Sequence, residues 1–153
     1  MTPGSVFVAV ALGSNLGDRE RCLREAVGAL RASISPLRVS AFHETDPVGV
    51  EPQPRFLNGV AVGETQLAAR GLLAELLDVE RRFGRKRPLP GAPRTLDLDL
   101  ILYGEAVIDE PGLCIPHPRF RERRFVLEPL AELAANWVDP VTGRTVGELL
   151  EAL

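Results

Sequence analysis

Two aspartates stand two positions apart in the segment RTLDLDLILYG, residues 94–104. Leucines at positions 96, 98, 100 and 102 alternate with them, as on a strand that buries one face. Residues two apart on a strand project from the same face about 6.5–7 Å apart, so Asp97 and Asp99 can direct both carboxylates at one point. Mg²⁺ binds one or two carboxylates and takes its other ligands from water and substrate phosphates. The pair is therefore a candidate magnesium site.

The segment before this strand is basic. Arg85, Lys86 and Arg87 lie in the preceding loop, and Arg94 stands where the strand begins. Arginine binds phosphate oxygens through paired hydrogen bonds, so cations beside metal-binding carboxylates favour a polyphosphate ligand. The alternative is that the aspartates are solvated or pair with arginines. For Arg81 and Arg82, the simpler interpretation is that they stabilise a helix C-terminus.

The sequence lacks the familiar phosphate-binding loops. Neither G-x-x-x-x-G-K-[ST] nor the kinase G-x-G-x-x-G is present. The glycines of GSNLG, residues 13–17, have the wrong spacing and no lysine, which favours a tight turn between a strand and a helix. His117, one of two histidines, could donate a proton to a phosphate or a leaving group, although a lone histidine is more often structural.

The elements that must position these residues follow from hydrophobic periodicity and turn signals. The predicted elements are a strand at 5–12, a helix capped by Asp18, strands at 37–44 and 56–64, a helix at 67–83 and a strand at 96–103. This order is the βαββαβ pattern of a ferredoxin-like α+β sandwich. We expect residues 105–153 to add turns and short helices. Three proline-rich loops, 47–54, 88–93 and 111–118, are candidates for closing over one site.

Length and composition set limits on the whole chain. The 153 residues, 45% of them hydrophobic, predict a single domain, 1–153, with a sizeable core. The net charge of −3 argues against a broad nucleic-acid surface. The apolar run at 6–12 is too short to span a bilayer and lacks a preceding basic segment, so we expect a soluble, cytoplasmic protein. Cys22 and Cys114 form neither a disulfide framework nor a zinc pattern.

Taken together, the sequence motifs are specific enough to indicate one protein family. The combination of ALGSNLGD, FLNGV, GRKR with PRTLDLDLILYG, and IPHPRFRERRFVLEPLAEL resembles the 6-hydroxymethyl-7,8-dihydropterin pyrophosphokinase family of folate biosynthesis, from about residue 8 to residue 133. The resemblance implies transfer of pyrophosphate from ATP to the pterin hydroxymethyl group, with release of AMP. It also implies Mg²⁺, as a pair of ions held by Asp97 and Asp99. The expected partners are ATP and the pterin, with no nucleic acid, no membrane and a monomeric chain.

The resemblance assigns the remaining site residues. Those matched to ATP contacts are Glu80, Arg85, Arg87, Arg94, His117 and Arg123. Arg85 and Arg94, with the two aspartates, form the expected catalytic set, and Arg85 and Arg87 match a mobile loop that closes over the phosphates. Those matched to the pterin pocket are Thr45, Val48, Phe56, Asn58 and Phe125. There the amide would read the ring edge, the two aromatics would sandwich the ring, and Thr45 and Val48 would border it through backbone groups.

The sequence departs from the better-known family pattern near the nucleotide. The loop before PRTLDLD reads PLPGAP, without the tryptophan of many members, and Pro118 follows the histidine where some members have an aromatic residue. Gly112 and Cys114 occupy positions where some relatives present polar ATP contacts. We expect these differences to alter nucleotide affinity or loop kinetics before they alter the chemistry.

Two other functions remain open at this point. The βαββαβ sandwich is also the architecture of RNA-recognition modules, which would display aromatic residues and basic charge on the sheet. LDLDLIL presents acidic residues there instead. The other alternative is a Mg²⁺-dependent phosphohydrolase that uses the same aspartates.

Overall fold

A computed structural model describes residues 4–46, 55–83 and 96–153. The strands are β1 (Val6–Ser14), β2 (Leu37–Val39), β3 (His43–Thr45), β4 (Phe56–Thr65), β5 (Asp97–Tyr103), β6 (Ile108–Glu110) and β7 (Leu113–Ile115). The helices are α1 (Arg19–Leu30), α2 (Ala69–Phe83), α3 (Arg124–Ala134) and α4 (Val146–Glu151), and a 3-10 turn at Phe120–Glu122 precedes α3. Asp18 caps α1 as predicted, because its Oδ1 accepts a hydrogen bond from the backbone N–H of Arg21 at 3.2 Å.

The main sheet is antiparallel. Its strand order is β2-β4-β1-β5, and β3 also pairs with β4. Since β2 and β3 are two parts of the strand predicted for residues 37–44, the order of the four predicted strands is that of a ferredoxin-like sandwich. The predicted fold class is therefore confirmed.

The interruption between β2 and β3 occurs at Ser40, which makes two hydrogen bonds to β4. The Ser40 backbone N–H donates to the Val60 carbonyl, and the Ser40 hydroxyl accepts from the Val60 N–H, each at 2.9 Å. A side-chain oxygen therefore replaces the backbone acceptor that a regular strand would supply. Beyond it the Phe42 ring lies against Gly59, where an added Cβ would be 2.7 Å from the ring. The prediction of one continuous strand at 37–44 was wrong, and pairing resumes only at His43.

Both faces of the sheet are covered by helices. Apolar residues of α1 and α2 form the first core with the strands, including Leu23, Leu30, Leu72, Leu76, Val8, Val10, Leu12, Leu98 and Leu100. Residues of α3 and α4 form the second core on the opposite face, including Val126, Leu127, Leu130, Val146, Leu149, Ala9, Val60 and Val62. The side chains of β1 thus alternate between two cores, as the twofold period of a strand requires.

A bulge changes this alternation at the far end of β5. Ala9 pairs with Leu102 but Val10 pairs with Leu100, so Ile101 is the extra residue. Leu102 consequently joins Ile101 in the second core instead of continuing the leucine face of β5. The bulge leaves the other end of β5, where the aspartates lie, in regular register.

The C-terminal third contains more regular structure than expected. A β6–β7 hairpin turns at Gly112, whose φ of +78° favours glycine, and the sequence reasoning missed it. The helix α4 begins with a capping box between Thr145 and Glu148. No helix within the three described ranges is long and apolar enough to cross a membrane.

Candidate active site

Three polar residues and one glycine form a row across the sheet, where β1 ends and β5 begins. Asp97 lies opposite Gly13, Gly13 lies opposite Asn58, and Asn58 lies opposite His43. Residues directly opposite in antiparallel strands share a face, so this row faces the same side of the sheet. In the next row, Asp99 lies opposite Ala11, which packs against the second core. The aspartates therefore project on the side covered by α3.

A cavity of about 210 Å³ opens on this side of the sheet. Its lining includes seven residues predicted from the sequence: Thr45, Phe56, Asn58, Asp97, Asp99, Arg123 and Phe125. The strands β3, β4 and β5 supply the first five, and the start of α3 supplies Phe125, with Arg123 immediately before it. Residues matched to the pterin and residues matched to the phosphates thus border one cavity.

The two aspartates are only partly buried, and they meet the requirements of a Mg²⁺ site. Both aspartates line the cavity, so a ligand in it can reach their carboxylates. No third histidine, cysteine, aspartate or glutamate joins the pair into a larger metal cluster among the described residues. Two carboxylates leave the remaining ligand positions to water and phosphate oxygens, which is the donor set that Mg²⁺ accepts. The residues present fit the ion.

Asn58 is buried in the cavity wall, and two neighbours constrain its carboxamide. Its Nδ2 donates a hydrogen bond to the Thr45 hydroxyl. Its Oδ1 lies over Gly13, where an added Cβ would come within 2.7 Å of that oxygen. The carboxamide has two donor hydrogens and two acceptor lone pairs, so groups remain for a ligand.

Aromatic rings border the cavity from two layers of the fold. Phe56 comes from the sheet, and Phe125 comes from the first turn of α3. The Arg123 guanidinium lies over the Phe125 ring, 5.5 Å from its centroid. This distance is in the range of a cation–π contact, which holds the arginine at the N-terminal end of α3. The arrangement suits a flat heteroaromatic ring with a charged substituent nearby.

His117 lies close enough to Asp99 for an electrostatic interaction, but it does not line the cavity. Burial lowers the pKa of His117; Asp99 opposes this effect, and Arg123 and Arg119 add to it. Its Nδ1 accepts a hydrogen bond from the Arg119 backbone N–H at 3.1 Å. Because Nδ1 is an acceptor, the proton of the neutral ring is on Nε2, which can act as a hydrogen-bond donor.

Glu80 occupies a different position from the other predicted ATP contacts. It is 5% exposed on α2, and its Oε2 accepts a hydrogen bond from the Leu98 backbone N–H at 2.8 Å. Leu98 stands between the two aspartates, so Glu80 fixes the backbone that carries them. A direct contact with ATP stays a prediction. Arg81 and Arg82 each lie 3.0 Å from Asp78, in keeping with a role at the end of α2.

Several predicted residues cannot be compared with the structure. Val48, Arg85, Arg87 and Arg94 lie outside the described residues, as do the proline-rich loops 47–54 and 88–93. The third such loop, 111–118, contains both β7 and His117. The roles assigned to these residues and loops stay predictions.

Sequence reasoning missed Gly13. The segment GSNLG was interpreted as a turn, yet Gly13 and Ser14 belong to β1, and only Gly17 has a positive φ, +68°. A signal was present in the alternation of β1. Positions 9, 11 and 13 are Ala, Ala and Gly, whereas positions 8, 10 and 12 are Val, Val and Leu. Decreasing side-chain size along one face leaves space above the strand, and the cavity occupies that space.

Comparisons with known proteins identify relatives of the chain. Residues 9–135 match the model of the family described as 7,8-dihydro-6-hydroxymethylpterin-pyrophosphokinase. Three bacterial proteins named 2-amino-4-hydroxy-6-hydroxymethyldihydropteridine pyrophosphokinase are similar. The one from Synechocystis is 43% identical over 93% of this chain and 73% of its own length. The one from Bacillus subtilis is 46% identical over 81% and 75%, and the one from Pseudomonas aeruginosa is 44% identical over 95% and 90%.

Solved structures support the fold independently. The crystal structure of wild-type HPPK-DHPS from Plasmodium falciparum superposes with a TM-score of 0.79 at 12% identity, covering 97% of this chain and 44% of that one. A triple mutant of the same protein gives the same TM-score at 13% identity. At such identities the likeness shows the fold alone, and this chain spans less than half the length of those structures.

Proposed function

Because the chain belongs to the 7,8-dihydro-6-hydroxymethylpterin-pyrophosphokinase family, we propose that it transfers the terminal pyrophosphoryl group of ATP to 6-hydroxymethyl-7,8-dihydropterin. The hydroxymethyl oxygen forms a bond to the β-phosphorus, the bond from that phosphorus to the α-phosphate oxygen breaks, and the hydroxyl proton is released. The products are AMP and the pterin pyrophosphate. The observation that carries the proposal is the single cavity that joins Asn58 and two phenylalanines to Asp97 and Asp99.

The pterin occupies the end of the cavity formed by β3, β4 and the start of α3. Asn58 hydrogen-bonds the ring edge, where donors and acceptors alternate. Phe56 and Phe125 bury the ring faces, which provides apolar contact and excludes water from the reacting hydroxymethyl group. Thr45 and Val48 border the ring. Binding in this way places the hydroxymethyl oxygen on the side of the aspartates, and such positioning lowers the entropic part of the barrier.

The triphosphate occupies the other end. Asp97 and Asp99 would hold Mg²⁺, as two ions, and the bound cations would supply positive charge to the phosphates and to the developing charge of the reaction. Arg123 reaches the cavity from the start of α3, and the Nε2–H of His117 is available to a phosphate oxygen. Arg85, Arg87 and Arg94 complete the binding of the phosphates as bidentate donors. Glu80 contributes to the nucleotide site. The chain acts as a monomer with a single domain, 1–153.

The other two functions have less support. An RNA-recognition module binds through an open sheet face carrying aromatic residues, whereas both faces of this sheet pack against helices. The chain is also net negative. A phosphohydrolase acting on ATP alone would have no use for a buried amide and two aromatic residues beside its metal site. The lining of the cavity therefore favours transfer to a ring-bearing acceptor.

The test is to identify the nucleotide product. The purified chain is incubated with ATP, MgCl₂ and 6-hydroxymethyl-7,8-dihydropterin, and the nucleotides are separated by anion-exchange chromatography. We expect AMP, formed only when both the pterin and Mg²⁺ are present. ADP with free phosphate, formed whether or not pterin is added, would show hydrolysis and contradict the proposal. Salt-sensitive RNA binding without Mg²⁺, together with no AMP, would favour the RNA-recognition alternative.

A further inference from the structure

Gly13 lies in the row between the two halves of the cavity, and it has no assigned role. It pairs with Asn58 of β4 on one side and with Asp97 of β5 on the other. The three atoms nearest to an added Cβ all belong to β4: Asn58 Oδ1 at 2.7 Å, Phe56 Cδ1 at 3.7 Å and Asn58 Cγ at 3.8 Å. A methyl group at this position would therefore displace the Asn58 carboxamide before it met Asp97.

Glycine is not required here for its backbone freedom. The positive-φ glycines of the described residues do not include Gly13, which has the extended conformation of a strand. What the position requires is the absence of a side chain, because Asn58 Oδ1 occupies the volume that a Cβ would fill. Gly59, the next residue in β4, shows the same principle, since the Phe42 ring occupies its Cβ position.

Thr45 fixes the other end of the carboxamide. Its hydroxyl accepts a hydrogen bond from Asn58 Nδ2, and within the described ranges no other hydrogen bond to this side chain is present. One N–H of the amide is thereby occupied, and the second N–H and the carbonyl oxygen are left for a ligand. Because the Thr45 hydroxyl can both donate and accept, this contact fixes the place of the carboxamide in the cavity wall.

We propose that Gly13 and Thr45 are positioning residues, which together hold the Asn58 carboxamide in the place from which it reads the pterin edge. Gly13 provides the space for Oδ1, and Thr45 binds Nδ2. The inference rests on the proposed function for the identity of the ligand, but the position of the side chain is a property of the chain by itself. Selectivity for the ring edge then depends on two residues that need not touch the ring through their side chains.

Substrate binding tests the proposal in the full-length chain. The probe is 6-hydroxymethylpterin, titrated by calorimetry in the presence of MgCl₂ and α,β-methylene-ATP. We expect Gly13→Ala and Thr45→Val each to weaken its binding about tenfold, the range of one well-placed hydrogen bond. Thr45→Ser, which retains the hydroxyl, should bind within about twofold of the wild type. The matched control is Gly28→Ala on α1, where an added Cβ meets nothing within 4 Å.

A double-mutant cycle separates positioning from general damage to the strand. In an Asn58→Ala background the carboxamide is gone, so Gly13→Ala should cause little further loss of pterin binding. An equal loss from Gly13→Ala in both backgrounds would overturn the role of Gly13. A loss in Thr45→Ser as large as that in Thr45→Val would overturn the role of the hydroxyl. The affinity for α,β-methylene-ATP should remain that of the wild type in all of these variants.

A second measurement needs no substrate. The side-chain amide resonances of Asn58, assigned by their absence in Asn58→Ala, should shift in Gly13→Ala and Thr45→Val and stay in place in Gly28→Ala. Unchanged resonances in both test variants would refute the positioning. If the wild type forms no AMP but the resonances shift as expected, the proposed function fails while the position of the carboxamide is upheld.

Discussion

Three carboxylates of this chain, Asp99, Glu80 and Asp139, have different roles because their neighbours differ. Asp99 is partly exposed on the cavity and interacts electrostatically with His117. Glu80 is buried and accepts a backbone hydrogen bond from β5. Asp139 is fully buried and bound by the Arg121 guanidinium at 2.5 and 2.8 Å. A buried carboxylate without such donors would strongly destabilise the fold. Of the three, only the partly exposed Asp99 is therefore suited to bind a cation reversibly.

The first prediction concerns the aspartate pair. Asp97→Asn and Asp99→Asn should each lower the rate of AMP formation by about a hundredfold or more, since a carboxylate that holds a catalytic cation contributes several kcal/mol to the transition state. Binding of 6-hydroxymethylpterin should change little, because the ring contacts other residues. Steady-state kinetics and calorimetry measure the two effects, with Asp109→Asn on the β6–β7 hairpin as the control. Near-normal turnover in both variants would exclude the proposed metal site.

Motifs predicted some of these residues and not others, for a physical reason. The alternation of LDLDLIL placed Asp97 and Asp99 on one face, and local spacing was sufficient for that. The importance of Gly13 depends on the register of β1 against β4, which brings it opposite Asn58, 45 positions away in the chain. Cross-strand register of this kind is set by the whole sheet, so a single strand does not reveal it.

At the level of the elements, the hydrogen bond between Glu80 of α2 and the Leu98 backbone of β5 fixes the part of the strand that carries the aspartates. Glu80→Ala should lower the free energy of unfolding by about 2 kcal/mol, because it leaves the buried N–H of Leu98 without this acceptor. Urea denaturation followed by circular dichroism measures the change. Glu75→Ala, an exposed glutamate on the same helix, is the matched control and should cost less than about 0.5 kcal/mol. Equal effects of the two substitutions would show that the hydrogen bond does not anchor β5.

The segment between α3 and α4 is held by Asp139, and its stabilisation depends on pH. Burial raises the pKa of Asp139, but hydrogen bonds from Arg121, Thr142 and Val141 outweigh it and lower the pKa from 3.8 to about 2. A carboxyl whose folded-state pKa is depressed stabilises the protein above its unfolded pKa and loses that contribution as the pH falls through the folded value. The window here is therefore from about pH 4 down to about pH 2.

We expect this contribution to be about 2 kcal/mol at pH 7. Urea denaturation of the wild type and of Asp139→Asn at pH 7, 4 and 3 should show the difference in unfolding free energy narrowing as the pH falls. Glu128→Gln removes the exposed Arg124–Glu128 pair and is the control, with an expected effect below about 0.5 kcal/mol. A difference between wild type and Asp139→Asn that is constant from pH 7 to pH 3 would contradict the assigned pKa.

Prediction of the elements succeeded where their signals are local. Short sequence patterns indicate the apolar stripe of α2, the N-terminal cap of α1 and the apolar strands. The predicted helices and strands lie within a few residues of the observed bounds. The break at Ser40 and the bulge at Ile101 were missed, because each depends on a hydrogen bond or a register shift involving another strand. Strands β6 and β7, of three residues each, are too short to show alternation.

At the scale of the whole molecule, the C-terminal third is part of the site and not an addition to a complete domain. The helix α3 closes the sheet face that β1, β4 and β5 leave exposed, and its first turn supplies Phe125 to the cavity. Behind it α4 packs into the same core through Val146 and Leu149. One hydrophobic layer therefore stabilises the fold at one end and borders the cavity at the other.

Val126 and Leu149 distinguish these two ends of the layer. Both are buried in the second core, but only Val126 also lines the cavity. Leu149→Ala should lower the free energy of unfolding by about 2–4 kcal/mol, and Val126→Ala by about 1–3 kcal/mol, through lost burial and the space left behind. At a temperature where both variants are fully folded, only Val126→Ala should raise the KM for the pterin, because only its methyl groups contact the pocket.

Urea denaturation and steady-state kinetics on the same preparations measure both quantities. A rise in pterin KM for Leu149→Ala as large as that for Val126→Ala would contradict the separation. It would mean that α4 sets the position of α3, and with it the position of Phe125, over the whole length of the helix. The absence of any such rise would show that the first turn of α3 is held locally, by its contacts with the sheet and by the Arg123–Phe125 stack.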